Sequence, residues 1–298
     1  MHWIVASLLS AIFAGVNELS SKHAIQKNAV TPVLFYAMLY CAAGWLVLMA
    51  VQWFHPGLLP ASLVADPIHF RQHLLLVLKA ALVATAWAAT YFGLKHLPVS
   101  LASPIRATGP IWTFLGAVVI LAERPTLLET LGIVTTLASF VGLSFAGQRE
   151  GVHFHRNKWV GFVIIGTLLN AVSAVYDKYL LGTVNLSVPT VQSWYSIYML
   201  VFFTPLTIGW KRRWWPRHEF EWRWTIPLIA FSMLVGDYLY FAALREPMAL
   251  VSLVISLRRG STLVAFAGGI VFFHEASGRQ KLLAVIGIVV GMLLTVLG

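Results

Sequence analysis

Charged residues are scarce in this sequence. Asp, Glu, Lys and Arg make up 11% of the 298 residues, whereas 59% are apolar or aromatic. An ordinary soluble domain carries about 25% charged residues, so this composition excludes a cytosolic enzyme, a secreted disulfide scaffold and a disordered chain. Cysteine is almost absent: Cys41 stands alone in an apolar run and cannot form an intrachain disulfide.

Long apolar runs separated by short polar segments predict an all-α integral membrane protein. A helix needs about 20 apolar residues to cross the hydrocarbon core of a bilayer. The runs predict ten transmembrane helices, with loops too short to form a soluble domain. The predicted spans are 3–22, 31–54, 73–95, 98–121, 127–146, 158–181, 188–210, 224–244, 248–273 and 280–297.

The two halves of the sequence resemble each other. Trp3 and Trp159 open the first and sixth spans, and Lys22 and Lys178 close them in the same order. Because each half has an odd number of spans, the second copy must enter the membrane upside down, a recurrent design of secondary transporters. The predicted units are a first five-helix repeat at 1–147, a linking loop at 148–157 and a second, inverted five-helix repeat at 158–298.

Arginines at membrane depth predict a substrate site. Arg106 lies in a proline-rich part of the fourth span, and Arg258 and Arg259 precede a glycine in the ninth, so both segments are predicted helix breaks at matching points of the repeats. Guanidinium groups bind carboxylate or phosphate groups, which favours an anionic or zwitterionic substrate. The alternative is that the arginines pair with acidic residues and tie spans together. The predicted substrate-binding residues are Arg106, Arg258, Arg259, Asp237, Trp87, Tyr91, Tyr240 and Ser103.

The aromatic residues and the acidic residues of the predicted spans have alternative roles. For each of the aromatic residues, packing in the core is favoured over contact with a substrate. Asp237 and Glu18 are candidates for proton coupling, because a carboxylate deprived of water can exchange a proton near neutral pH; Glu18 can instead pair with Lys22 one turn away. We expect Asp177 to lie at the membrane interface, and Lys79 to extend its side chain toward the start of the third span.

Small residues and charge distribution bear on assembly and orientation. Gly287 and Gly291 form a GxxxG pattern, which packs helices either within one chain or across a homodimer.

The net charge of +10 is typical of loops that face anionic lipid, and not of a nucleic acid-binding protein. The basic run 211–217 dominates the charge difference between the two sides, which places both termini outside. The sequence predicts no metal site and no cofactor.

Each half of the chain ends on a similar pattern. The patterns are Gly116, Glu123-Arg124-Pro125 and Gly132 in the first half, and Gly268-Gly269, His274-Glu275 and Gly287 in the second. With the repeat and with Lys22 and Lys178, these patterns resemble the ten-span, EamA-type members of the drug/metabolite transporter superfamily. The resemblance implies a central cavity lined by spans one, three, four, six, eight and nine, and both termini in the cytoplasm. It also implies a structural role for Glu123 and Glu275, which would hold the turns after their spans.

These observations predict a multi-pass protein of the bacterial inner membrane that is not an enzyme. Its predicted function is secondary active transport of a small anionic or zwitterionic metabolite by alternating access. One alternative is a flippase for a lipid-linked phosphate or sugar, with 211–223 as the landing site for the headgroup. A second alternative is a non-transporting membrane scaffold that docks a partner complex through its small residues.

Overall fold

The computed structural model describes residues 3–96, 105–106, 108–145, 158–214, 219–264, 267 and 279–298. Within these ranges the chain is helical and contains no strand. The helices are α1 Trp3–Ile25, α2 Val30–Phe54, α3 Phe70–His96, α4 Gly109–Ile120, α5 Leu127–Phe145, α6 Lys158–Lys178, α7 Val188–Lys211, α8 Thr225–Arg245, α9 Val251–Arg258 and α10 Arg279–Leu297.

Several of these helices suit a bilayer by length and composition. Five are long and apolar enough to cross a membrane: Trp3–Ile25, Val30–Phe54, Phe70–Thr90, Lys158–Thr183 and Thr225–Arg245. Shorter apolar helices cover Gly109–Ile120, Leu127–Gly142 and Leu283–Leu297. Their outer faces expose large apolar side chains such as Val47 and Val119, which lipid solvates better than water does. The chain is an integral, multi-pass membrane protein, while the count of ten spans stays a prediction.

The packing pairs helices from the two halves of the chain. Helix α1 packs against α8, α3 against α6, α2 against α7 and α5 against α10. This pattern is unchanged when each helix is exchanged with the one five places away, because α1–α8 then becomes α6–α3 and the other two pairs map onto themselves. Two smaller contacts, α4–α6 and α9–α1, exchange in the same way.

Small residues allow these helices to approach closely. Lipid removes the hydrophobic drive between helices, so van der Waals contact between backbones carries more of the packing. A Cβ atom on Gly291 would lie 2.5 Å from the backbone nitrogen of Thr136 and 2.7 Å from the backbone oxygen of Gly132. On Gly287 a Cβ atom would overlap the side chain of Ser139. The GxxxG pattern therefore packs α10 on α5 within the chain and is not free to form a dimer face.

The ninth predicted span breaks where its sequence indicates. Helix α9 ends at Arg258, the chain turns at Arg259 and Gly260, and helical structure resumes at 261–264. The amide of Arg259 bonds to the carbonyls of Ile255 and Ser256 in the turn. In the fourth span, α4 begins at Gly109 after a short helical piece at 105–106. Residues 97–104, which include Ser103, lie outside the described residues.

Candidate functional site

Arg258 and Asp237 form an ion pair between α9 and α8. The Nη2 atom of Arg258 lies 2.6 Å from Oδ1 of Asp237, and 26% and 20% of the two side chains remain exposed. The guanidinium carbon of Arg258 also lies 4.4 Å from the ring centroid of Tyr240, a buried residue. Arg258 therefore follows the alternative in which an arginine pairs with an acidic residue and ties two spans together. Tyr240 packs beneath its guanidinium group.

Arg259, the next residue, has no ion pair among the described residues. Its guanidinium carbon lies 5.3 Å from the ring centroid of Phe140 on α5. Its Nε atom is buried and has no hydrogen-bond partner within the described ranges. Arg259 interacts electrostatically with Glu18, Arg258 and Arg106. Three arginines and Glu18 thus share one region, and with Asp237 included this region carries one positive charge in excess.

Close packing of α1 brings Glu18 to this region. A Cβ atom on Gly15 would lie 2.8 Å from the backbone oxygen of Ser261, so only glycine lets α1 approach the helical turn after the break. Glu18 lies three residues further on the same side of the helix. Glu18 and Arg106 are both exposed, and Glu18 interacts with all three arginines. A charge facing lipid is costly, so mutual compensation between Glu18 and the arginines lowers the cost of placing these charges in the predicted spans.

A second ion pair lies nearby and was not expected. Lys79 on α3 bonds to Asp177 on α6, and only 3% and 6% of the two side chains are exposed. The Nζ atom of Lys79 also lies 4.7 Å from the ring centroid of Tyr195 and 5.2 Å from that of Phe241. Asp177 interacts electrostatically with Asp237, so the two ion pairs are neighbours.

The expectations for these two residues are wrong. Asp177 does not lie at an exposed helix end, because it is buried against Lys79 and α6 continues beyond it through a π-helical turn at Tyr179–Thr183. Lys79 does not extend toward the start of its span, because a carboxylate and two aromatic rings satisfy its ammonium group inside the bundle. The sequence did contain a signal for this ion pair, because two opposite charges lie on the third and sixth spans, and the resemblance implied that both spans line the cavity.

Glu123 caps a helix from the other half of the chain. Its Oε1 atom accepts a hydrogen bond of 2.5 Å from the amide of Val251, and its Oε2 atom accepts bonds of 3.2 and 2.6 Å from the amide and hydroxyl of Ser252. These amides begin α9 and have no partner within the helix. The structural role expected of Glu123 is correct, but the expected target is wrong, since Glu123 holds the start of α9. Its counterpart Glu275 lies outside the described residues.

Lys178 holds the turn that joins α8 to α9. Its Nζ atom donates hydrogen bonds of 2.8, 3.0 and 2.8 Å to the carbonyls of Leu244, Glu246 and Ala249. Lys178 therefore bonds to carbonyls of the turn before α9, and Glu123 bonds to the first amides of α9. These contacts fix the start of the helix that carries Arg258, while the helix itself is interrupted at Arg259.

Comparison with known proteins agrees with this architecture. Residues 1–145 match the EamA-like transporter family. The whole fold is similar to that of a solved structure described only as "Crystal structure of protein", with 15% identity, 98% coverage of both chains and a TM-score of 0.72. No curated protein matches the chain.

The match over residues 1–145, together with the long apolar helices, supports a membrane protein related to a family of transporters. The resemblance implied a cavity lined by spans one, three, four, six, eight and nine, and the charged residues predicted to lie at membrane depth fall on those spans. Among the predicted aromatic residues, Trp87 packs on Phe203 with ring centroids 6.0 Å apart. Tyr91 belongs to α3, but its side chain lies outside the described part of the chain.

Proposed function

We propose that the chain is a secondary transporter that moves a small anionic or zwitterionic metabolite across a bacterial inner membrane by alternating access. The observation that carries the proposal is Arg259, a guanidinium group in the predicted ninth span that forms no ion pair with any described residue and whose buried Nε atom has no hydrogen-bond partner among them. A charge without a contacting partner in a medium of low dielectric costs several kcal/mol. A bound carboxylate or phosphate would supply the missing partner, in the bidentate geometry that arginine favours.

The surrounding charges suggest how a substrate would be held. Arg259 and Arg106 would bind the anionic group of the substrate. Arg258 would also contact this group, with its guanidinium oriented by Asp237. An anion that draws Arg258 away leaves Asp237 uncompensated, so Asp237 would then take up a proton or bind the cationic group of a zwitterion. Glu18 is the second proton candidate, since it faces the same arginines from α1.

The two-fold pattern of helix contacts supports alternating access. We propose ten spans in two inverted repeats, 1–147 and 158–298, because exchange of corresponding helices leaves the main helix pairs unchanged. In such an arrangement the site lies near the midplane where the repeats meet, and rocking of one repeat against the other exposes it to each side in turn. Since α5 covers Gly287 and Gly291, a homodimer would have to use another face.

A thermal-unfolding screen of the purified protein tests the substrate class. The panel contains amino acids, organic phosphates, sugar acids, choline-like cations and lipid phosphates. A ligand at 100 times its Kd stabilises the folded protein by about 2.7 kcal/mol. We expect an anionic or zwitterionic solute to stabilise the wild-type protein and Arg245→Gln, an exposed arginine at the end of α8, but not Arg259→Gln.

Flux assays in proteoliposomes then separate the alternatives. The ligand found in the screen should cross the membrane with the wild-type protein and not with Arg259→Gln. Stabilisation by lipid phosphates alone, with lipid translocation, would replace the carrier by a flippase. Absence of both ligand stabilisation and flux would refute the arginine site and favour the scaffold.

A further inference from the structure

A cavity of about 550 Å³ lies at one end of the bundle, and none of its lining residues belongs to the charged region described above. It opens where α1 ends and α8 begins, and the segment before α8 contacts α7 through the rings of Phe220 and Trp210. Bulky aromatic and polar side chains surround it. The lining residues are His23, Gln26, Lys27, Glu221, Trp222, Arg223 and Trp224.

The walls of this cavity are held by defined hydrogen bonds. Arg223 donates from Nη1 to the carbonyls of His23 and Gln26 at 2.5 and 2.9 Å, and from Nη2 to Glu221 at 2.8 Å. Asn28 is buried and bonds to both the amide and the carbonyl of Glu221. The segment that precedes α8 is thus fastened to the end of α1, so the cavity is formed before any ligand arrives.

The charge of the cavity favours an anion. Glu221 compensates Arg223, which leaves the exposed ammonium group of Lys27 in excess. Lys27 also has a φ of 55°, a left-handed conformation that glycine normally occupies just after a helix. Lys27 keeps this strained backbone conformation at the rim of the cavity, where its side chain contributes a positive charge. The guanidinium group of Arg223 covers carbonyls at the end of α1, which would otherwise disfavour an anion.

One wall of the cavity continues into a face that meets lipid. The ring of Trp222 lies 5.6 Å from that of Tyr36 and 6.1 Å from that of Tyr40, both on α2. Tyr40 and Val47 are seven residues apart on one stripe of α2, and both are exposed. A ligand in the cavity therefore has an aromatic and apolar path down the outside of α2, which a soluble anion would not need.

We propose that this cavity binds the headgroup of an anionic phospholipid. The phosphodiester lies against Lys27, the glycerol region against Trp222, and one acyl chain along Tyr40 and Val47. Amphipathic aromatic rings and lysines are the side chains that favour the headgroup level of a bilayer. The site does not depend on the transport function, because none of its residues belongs to the arginine cluster.

Titration of phosphatidylglycerol into the delipidated protein in detergent, followed by native mass spectrometry, tests the site. Loss of one charge-assisted contact weakens binding by about tenfold, so we expect that loss in Lys27→Gln. Trp222→Leu should weaken binding as well. The matched controls are Arg245→Gln, at the opposite end of α8, and Trp53→Leu, an exposed tryptophan at the far end of α2. Both should bind as the wild type does.

A further variant separates binding from folding. Lys27→Gly relieves the left-handed strain and removes the charge, so its melting temperature should rise while its affinity for phosphatidylglycerol falls. Wild-type affinity in Lys27→Gln, or equal loss in the two controls, would overturn the site. Equal affinity for phosphatidylcholine, or for glycerol phosphate without acyl chains, would overturn its assignment to an anionic lipid.

Discussion

Replacement of Lys79 by Met should destabilise the protein more than replacement of Asp177 by Asn. Removal of one partner of a buried ion pair costs about 3–5 kcal/mol, because the other charge is left uncompensated. In Lys79→Met the buried carboxylate keeps no ionic partner in contact. In Asp177→Asn the ammonium group keeps an amide oxygen and the faces of Tyr195 and Phe241, each worth about 1–2 kcal/mol when water is excluded.

Addition of Asp177→Asn to Lys79→Met should therefore restore stability. The double variant buries two uncharged side chains, which costs less than one unpaired charge. Thermal or chemical unfolding of all four proteins in the same lipid nanodisc measures the coupling between the two positions. Glu221→Gln is the control, since it breaks an ion pair whose glutamate is 71% exposed and should cost about 0–1 kcal/mol. A double variant no more stable than Lys79→Met would refute the reasoning.

Two more substitutions test the packing of the bundle by the same unfolding measurement. Glu123→Gln should cost about 1–3 kcal/mol, because the amides that begin α9 lose a charged acceptor. Glu129 is the control, since its carboxylate accepts an exposed hydrogen bond from the amide of Thr126 at the start of α5; an equal loss in Glu129→Gln would contradict the specific role of Glu123. Gly291→Ala should destabilise strongly, because its Cβ atom would overlap the backbone of Thr136. Gly161→Ala meets no atom and should gain about 0.5–1 kcal/mol, so similar effects at both glycines would refute the close α5–α10 contact.

The sequence predicted the class of protein and much of its framework. A chain with so few charges can be solvated only by lipid, and in lipid the backbone must satisfy its own hydrogen bonds, which leaves the helix as the spanning element. The glycine after Arg259 indicated the break that ends α9. The spacing of Gly287 and Gly291 indicated close packing, although it could not say which helix would cover them.

Tertiary structure alone decided which charges meet. Lys79 and Asp177 are 98 residues apart and Ser10 bonds to a carbonyl 226 residues away, so no local pattern relates them. The rotation of each helix about its axis selects its neighbours, and that rotation follows from backbone contacts at glycines such as Gly15. A π-helical turn extends α6 beyond Asp177, and apolar periodicity in the sequence does not predict such a turn. Composition therefore determined the surrounding solvent and the type of secondary structure. Close packing decided that Arg258 is paired with Asp237, whereas Arg259 beside it has no ion pair among the residues that the structure describes.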